Sequence, residues 1–436
     1  MAFRRPMRAL SAMALAGALI LAVAPAAFAD QTRRDQWALE ALEAESVWRV
    51  STGEGVTVAV IDSGVNFEHV DLKNNLLKGR DFKDGDDDPA PEAGDLQADH
   101  GTAMASIIAG HGHGGGGDGV KGLAPDAKIL PIRSGGVGYA EEIRYAVDHG
   151  ASIINISEQQ DLDIQSDREA VAYALKRNVL IVSGSGNGGN GGVAFPAKYP
   201  GVLTVGGADK NGGLWEGSNY GPEVLLLAPA EQIVSAGWPG SNKLRMANGT
   251  SDATAYTSAA AALIKSKYPD LTPGQIVSRL VKTAVLPEEA RGSALPDERY
   301  GYGAIRPLAA LTENIPAGPK YGPLKVPESL SHAEVSGSEA DYAAENEKAD
   351  QKQMLLFAVL GLVALVVIGL LVLLTVKLLR RDKNKTGGPS GAVGYPQHGH
   401  QGITPKQNPY QQSVSPHQNP YQQQSPPPHN QWPPQQ

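Results

Sequence analysis

No cysteine occurs in the 436-residue chain. Disulfides, a cysteine nucleophile and thiolate metal ligands are therefore excluded, and any part that works in an oxidising compartment must rely on its hydrophobic core. An excess of positive charge is also missing. The formal net charge is −8, so the chain has no electrostatic footprint for nucleic acid, and no nucleic-acid partner is expected. Ordered metal-ligand spacing is absent as well. The acidic run DFKDGDDDPAPEAGD (81–95) lacks the regular positions of a calcium loop. It reads as a solvated charged face, with calcium as the alternative. His111 and His113 in HGHGGGGDG have no further ligands nearby, so a flexible glycine-rich loop is expected rather than zinc. No metal and no cofactor is assigned.

Charge is absent from one long apolar run, residues 354–376 (MLLFAVLGLVALVVIGLLVLLTV). As a helix it is long enough to cross a bilayer core of about 30 Å. KLLRRDKNK follows directly with five basic residues, which places the C-terminus in the cytoplasm by the positive-inside rule. At the other end, Arg4, Arg5 and Arg8 precede an apolar stretch, and Ala27-Phe28-Ala29 supplies a signal-peptidase pattern. The expected organisation is a signal peptide (1–29), an N-terminal extension (30–55), a folded body (56–314), a flexible extracytoplasmic linker (315–353), one transmembrane helix (354–376), and a basic stop with a disordered tail (377–436). The linker, rich in Pro, Gly, Ser, Ala and charge, has little to bury. Fully extended, it reaches on the order of 100 Å. In the Pro- and Gln-rich tail, QNPYQQ occurs at 407–412 and again at 418–423. Disorder is the default for that composition, and partner binding by the repeat is left open.

The body alternates short β-branched runs with helical stretches. Strands are expected at 56–61, 128–133, 152–157, 179–183, 202–206 and 224–228, and helices at 101–110, 140–149, 167–177, 252–267 and 273–284. This order predicts an α/β fold, a mostly parallel sheet covered by helices on both faces. In such sheets the chemistry collects in loops beyond the carboxyl ends of the strands.

Three residues at those ends stand out. Asp62 leaves the first strand in DSG, His100 opens a helix in HGTAMA, and Ser251 opens another in NGTSDATAYTSAAAAL (248–263). Singly they read as a turn former, a loop histidine and a helix cap. Together they supply a nucleophile, a general base and the acid that orients the base. Asn187, in SGSGNGG after the fourth strand, adds an amide donor for an oxyanion; in isolation it reads as a turn residue. The backbone N–H at the start of the Ser251 helix is a natural second donor.

These four blocks, in the order Asp, His, Ser, resemble the signature blocks of subtilisin-like serine proteases, and the resemblance runs from Gln36 to Leu311. It implies Asp62 as orienting acid, His100 as general base, Ser251 as nucleophile and Asn187 as oxyanion donor. The extension QWALEALEAESVWRVSTGEG (36–55) is too short for a folded inhibitory prodomain. With the signal peptide, linker, single span and basic stop, the whole is similar to the mycosins, membrane-anchored proteases associated with type VII secretion in actinobacteria. That resemblance implies protein or peptide substrates, a single-pass location in the cell membrane with the protease domain outside, and association with a type VII secretion complex.

Two departures from the family pattern bear on activity. Ser157-Glu158-Gln159 stands where the family has Ser-Leu-Gly, a segment that pairs with substrate backbone and walls the specificity pocket. Gln159 would crowd the backbone approach. Glu158 would favour a basic substrate side chain, or else it points to water. Asp252 and Ala255 replace a small or apolar residue and a proline after the nucleophile, and Ala255 should straighten the first helical turn. Two functions remain in play: a serine endopeptidase with activity falling below pH ~6.5, where its histidine charges, and a scaffold of a secretion complex that retains an old active site.

Overall fold

The computed structural model describes residues 31–95, 97–114 and 118–331. The chain divides into two units, 1–347 and 348–436, and everything described belongs to the first. The signal peptide, the apolar run 354–376, the basic stop and the repeat tail lie outside the described residues. Among the described residues no helix is long and apolar enough to cross a membrane.

The elements run α1 (Trp37–Ala41), α2 (Ala44–Trp48), β1 (Thr57–Asp62), β2 (Arg80–Asp81), α3 (His100–Ala109), β3 (His111–His113), β4 (Asp118–Lys121), β5 (Lys128–Arg133), α4 (Ala140–Asp148) and β6 (Ile153–Ile156). They continue with α5 (Gln165–Lys176), β7 (Leu180–Gly184), β8 (Val202–Ala208), β9 (Val224–Pro229), β10 (Ile233–Ala236), β11 (Leu244–Ala247), α6 (Thr250–Lys267), α7 (Pro273–Thr283) and α8 (Pro307–Thr312). Seven strands form one sheet in the order β2-β5-β1-β6-β7-β8-β9, all parallel.

Side chains along β1 alternate between two cores. Val58 and Val60 pack with α3 and α6 on one face, whereas Ala59 and Ile61 pack with α4 and α5 on the other. Strands buried on both faces need no polar side, which is why they read as unbroken apolar runs. Helix α6 lies against the sheet with residues 250–264 all buried. Its run of alanines keeps the helix surface small enough for close approach. The helix is continuous through Ala255.

The acidic run at 81–95 is not a plain solvated face. It wraps the guanidinium of Arg133, the last residue of β5, which is only 2% exposed. Arg133 Nη1 lies 2.6 Å from Asp81 and 2.8 Å from Asp84, while Nη2 lies 2.8 Å from Asp95 and 3.0 Å from Glu92. Burial alone would favour the neutral guanidine, but the hydrogen bonds to Glu92, Asp95 and Asp81 outweigh it and hold the proton more firmly than usual. The HGH stretch expected as a loop is strand β3, paired antiparallel with β4. His113 Nδ1 donates to Asp71 at 2.7 Å. Among the described residues no cluster of three or more histidine or acidic side chains is arranged to hold a metal.

Both flanks of the body are docked onto it. Trp37 Nε1 donates to the carbonyl of Glu231 and Trp48 Nε1 to that of Leu123, each at 2.9 Å, so α1 and α2 are fastened to the core they help to build. At the other flank the expected linker does not begin at 315. Arg279 on α7 donates to the carbonyls of Glu313 and Ile315, Gln275 donates to that of Gly318, and Leu324 is buried. The proline- and glycine-rich composition read as a segment with nothing to bury. Side chains of α7 satisfy its carbonyls, and one leucine anchors it.

Candidate active site

All seven strands point the same way, so the ends of β1, β6 and β7 deliver their loops to one edge of the sheet. Asp62 is the final residue of β1. Gly64, at φ +102°, turns the chain under the Pro89–Ala90 backbone, a conformation open to glycine. Gly101 then lets α3 start against the end of β1, since a Cβ there would fall 2.3 Å from the carbonyl oxygen of Gly64 and 3.0 Å from Asp62 Cβ. That close approach brings base and acid together. His100 Nδ1 lies 2.8 and 2.9 Å from the two carboxylate oxygens of Asp62.

Asp62 is fully buried, and an unpaired buried carboxylate would cost several kcal/mol. Here the imidazole and the Ser63 N–H, at 2.7 Å, both donate to it. Because the carboxylate can only accept, Nδ1 holds the proton and Nε2 of the neutral ring is the acceptor. Burial favours the neutral imidazole, but the charge and hydrogen bond of Asp62 outweigh it, so His100 binds its proton more tightly than usual.

Helix α6 presents Ser251 in its first turn, and Asn187 follows β7. Thr250 donates to Asn187 Oδ1 twice, from its backbone N–H and from its hydroxyl, each at 2.9 Å. Both donors fix which end of the amide is oxygen, leaving the exposed Nδ2 free to donate into the cleft. The Ser251 N–H, one of the helix's orphan donors, has no acceptor among the described residues.

The segment after β6 is tied to the same helix. Ser251 Oγ donates to the carbonyl of Ser157 at 3.1 Å, and Ser157 Oγ donates to the carbonyl of Ser251 at 3.2 Å. Asn155, fully buried in β6, donates to Ser157 Oγ and accepts from Ser258 Oγ, each at 3.0 Å. Ser251 and His100 share one cleft of about 570 Å³ with Asn187, Ser157, Glu158 and Gln159. The expected hydroxyl–imidazole hydrogen bond is not formed, because Ser251 Oγ is turned to Ser157.

Glu158 does not point to open water. It is half-buried in the cleft, and burial, with the charge of Asp62, pushes its carboxyl up to about 7; the Ser134 hydroxyl and the charge of His100 work against that shift. Gln159 is exposed and reaches across to Gly186, where a Cβ would come 2.9 Å from its Oε1. Asp252, beside the nucleophile, is 1% exposed. Burial pushes its carboxyl up to about 7, against the charges of Arg245 and His100.

Sequence reasoning missed Asn155 and Arg245. A lone asparagine inside the apolar strand IINI was the available signal for the first. For the second there was none, since β11 reads as a loop.

Residues 53–303 match the peptidase S8 subtilase family. Mycosin-1 of Mycolicibacterium smegmatis is 33% identical over 357 residues, covering 67% of this chain and 76% of that protein. Subtilisin Savinase of Lederbergia lenta is 33% identical over 282 residues, 63% of this chain and 97% of the relative. Among solved structures, MycP1 from the ESX-1 type VII secretion system aligns with a TM-score of 0.56 at 32% identity, covering 66% of this chain and 89% of that one.

Proposed function

Since the chain belongs to the subtilase family of serine proteases, on its mycosin branch, we propose that it is an extracytoplasmic endopeptidase, anchored by one membrane span and working beside a type VII secretion complex. Ser251 attacks a peptide carbonyl while His100 Nε2 takes the hydroxyl proton. Asp62 holds the ring in that tautomer and balances the imidazolium. Asn187 Nδ2 and the Ser251 N–H receive the oxyanion, a contribution of ~3–4 kcal/mol for one such donor. His100 passes the serine proton to the leaving amine as the C–N bond breaks. Water, giving its proton to His100, then hydrolyses the acyl-enzyme to free the carboxylic acid and restore Ser251. For the first step Ser251 must leave the Ser157 carbonyl, and rotation about its χ1 between staggered wells is the available motion.

The observation that carries this reading is the pairing of a buried Asp62–His100 contact with an Asn187 amide oriented by Thr250 on the same cleft. Fluorophosphonate labelling of the full chain tests it. Wild type is expected to label and Ser251→Ala to stay blank; folded wild type that never labels would favour the scaffold reading. That second reading is motivated by the Ser251 hydroxyl held on Ser157 and the acid next to it. The acid limb of labelling is expected above pH 6.5, the ordinary histidine value, because the His100 proton is held more tightly than that.

Glu158 on the cleft wall supports a preference for a basic substrate side chain, whose charge would draw the carboxyl back to its ionised form. A peptide-library profile without any basic preference would remove that assignment. For the anchor, deletion of residues 354–376 should release the protease from the membrane fraction; retention would count against a span there.

A further inference from the structure

Resting on that reading of the cleft, we infer that Arg245 is a positioning residue for catalysis, one that bridges the starts of the two helices carrying base and nucleophile and governs the charge of His100. The geometry is specific. Arg245 lies on β11, between the exposed side chains of Leu244 and Met246. Its own side chain turns inward to the cleft. Nε stands 3.7 Å from Asp99, the residue before His100, and Nη1 stands 3.9 Å from Asp252, the residue after Ser251. One guanidinium thus faces the carboxylates that flank the two reacting side chains in sequence.

Neither approach is a hydrogen bond. Arg245 Nη1 and Asp252 Oδ1 are both buried and have no hydrogen-bond partner among the described residues, an arrangement that costs stability. The charges therefore act at a distance, on whatever titrates nearby. His100 is faced by Asp62 from β1, Glu158 after β6, Asp252 from α6 and Arg245 from β11. Arg245 is the cation of this set, and it opposes protonation of His100, while Asp252 favours it. An imidazole that must be neutral to accept the serine proton is thereby kept nearer to neutrality than Asp62 alone would leave it.

The test is the pH dependence of fluorophosphonate labelling of Ser251 in the full-length protein, with a melting curve for each variant. Arg245→Gln should move the acid limb several tenths of a unit to higher pH and slow labelling at pH 7 several-fold. Asp252→Asn should move the limb to lower pH, and the double variant should return it near wild type. Arg245→Lys keeps the charge and should keep the limb while losing rate, because a point ammonium cannot face both carboxylates at once. If Arg245→Gln fails to fold, Arg245→Lys decides: a limb kept with slower labelling supports the inference, and labelling at the wild-type rate overturns it. A wild type that labels, with limbs coinciding in every folded variant, overturns this inference and leaves the protease reading intact. A wild type that does not label at any pH overturns both.

Discussion

Two arginines near the carboxyl edge of the sheet meet carboxylates in opposite ways. Arg133 is gripped by four acids at 2.6–3.0 Å, with both terminal nitrogens engaged. Arg245 faces two acids at 3.7 and 3.9 Å and completes a hydrogen bond to neither. The first arrangement recovers most of the desolvation of its charges locally, with Nε buried and lacking a hydrogen-bond partner among the described residues, and fixes the course of a long loop. The second leaves part of that cost unrecovered, in the cleft, where a field acting on a titrating group has chemical use. Close pairing builds scaffold; loose pairing tunes reactivity.

The largest expected effect is on the closed cluster. Arg133→Met strands Asp81, whose side chain is 2% exposed, and should cost roughly 3–5 kcal/mol in urea unfolding. The acid limb of labelling should not move. A loss below ~1 kcal/mol would mean that this cluster is no tighter in energy than a surface pair.

A middle-sized effect is expected at Asp252, where pH supplies the lever. Its folded-state carboxyl titrates near 7 against an ordinary 3.8, so between those values the folded state holds more proton than the unfolded one. Stability must then fall as pH rises through that window. Asp252→Asn removes the penalty. It should come close to wild type at pH 4 and exceed it at pH 8 by a few kcal/mol, at ~1.4 kcal/mol for each pH unit between the folded and ordinary values, several degrees in Tm. Equal melting curves at both pH values would show that the carboxyl carries no such penalty.

The smallest effect belongs to the rim of the closed cluster. Glu92 pairs with Arg133 from a side chain that is 56% exposed, so Glu92→Gln should cost under ~1 kcal/mol by urea unfolding. A loss as large as that of Arg133→Met would put the strength of the cluster at its surface and spoil the contrast drawn between its members.

The same contrast explains what the sequence could tell. The parallel strands were legible because burial on both faces removes polar positions, and KILPIR was placed residue for residue at β5. Asp62, His100, Ser251 and Asn187 could be singled out because each lies within two residues of a glycine at an element terminus. The structure sets Asp62 against His100 and lines one cleft with His100, Ser251 and Asn187. Other features depend on contacts between distant segments. The acids of 81–95 look solvated until the arginine of β5 is seen among them. Arg245 has no local signature, because β11 is four residues with no apolar face to the main sheet. α1 and α2, five residues each, owe their form to tryptophans bonded to carbonyls far along the chain. A composition reading also treats Pro and Gly as loose, and so missed that α7 binds the carbonyls after residue 312.

Those docked tryptophans have a consequence for control. Residues 31–50 help to build the body and contribute nothing to the lining of the cleft. None of them needs to be clipped away to admit a polypeptide, so on the protease reading this body is competent as soon as it has folded. On the protease reading with the proposed membrane span, restraint falls to where the enzyme is placed and which polypeptides reach it.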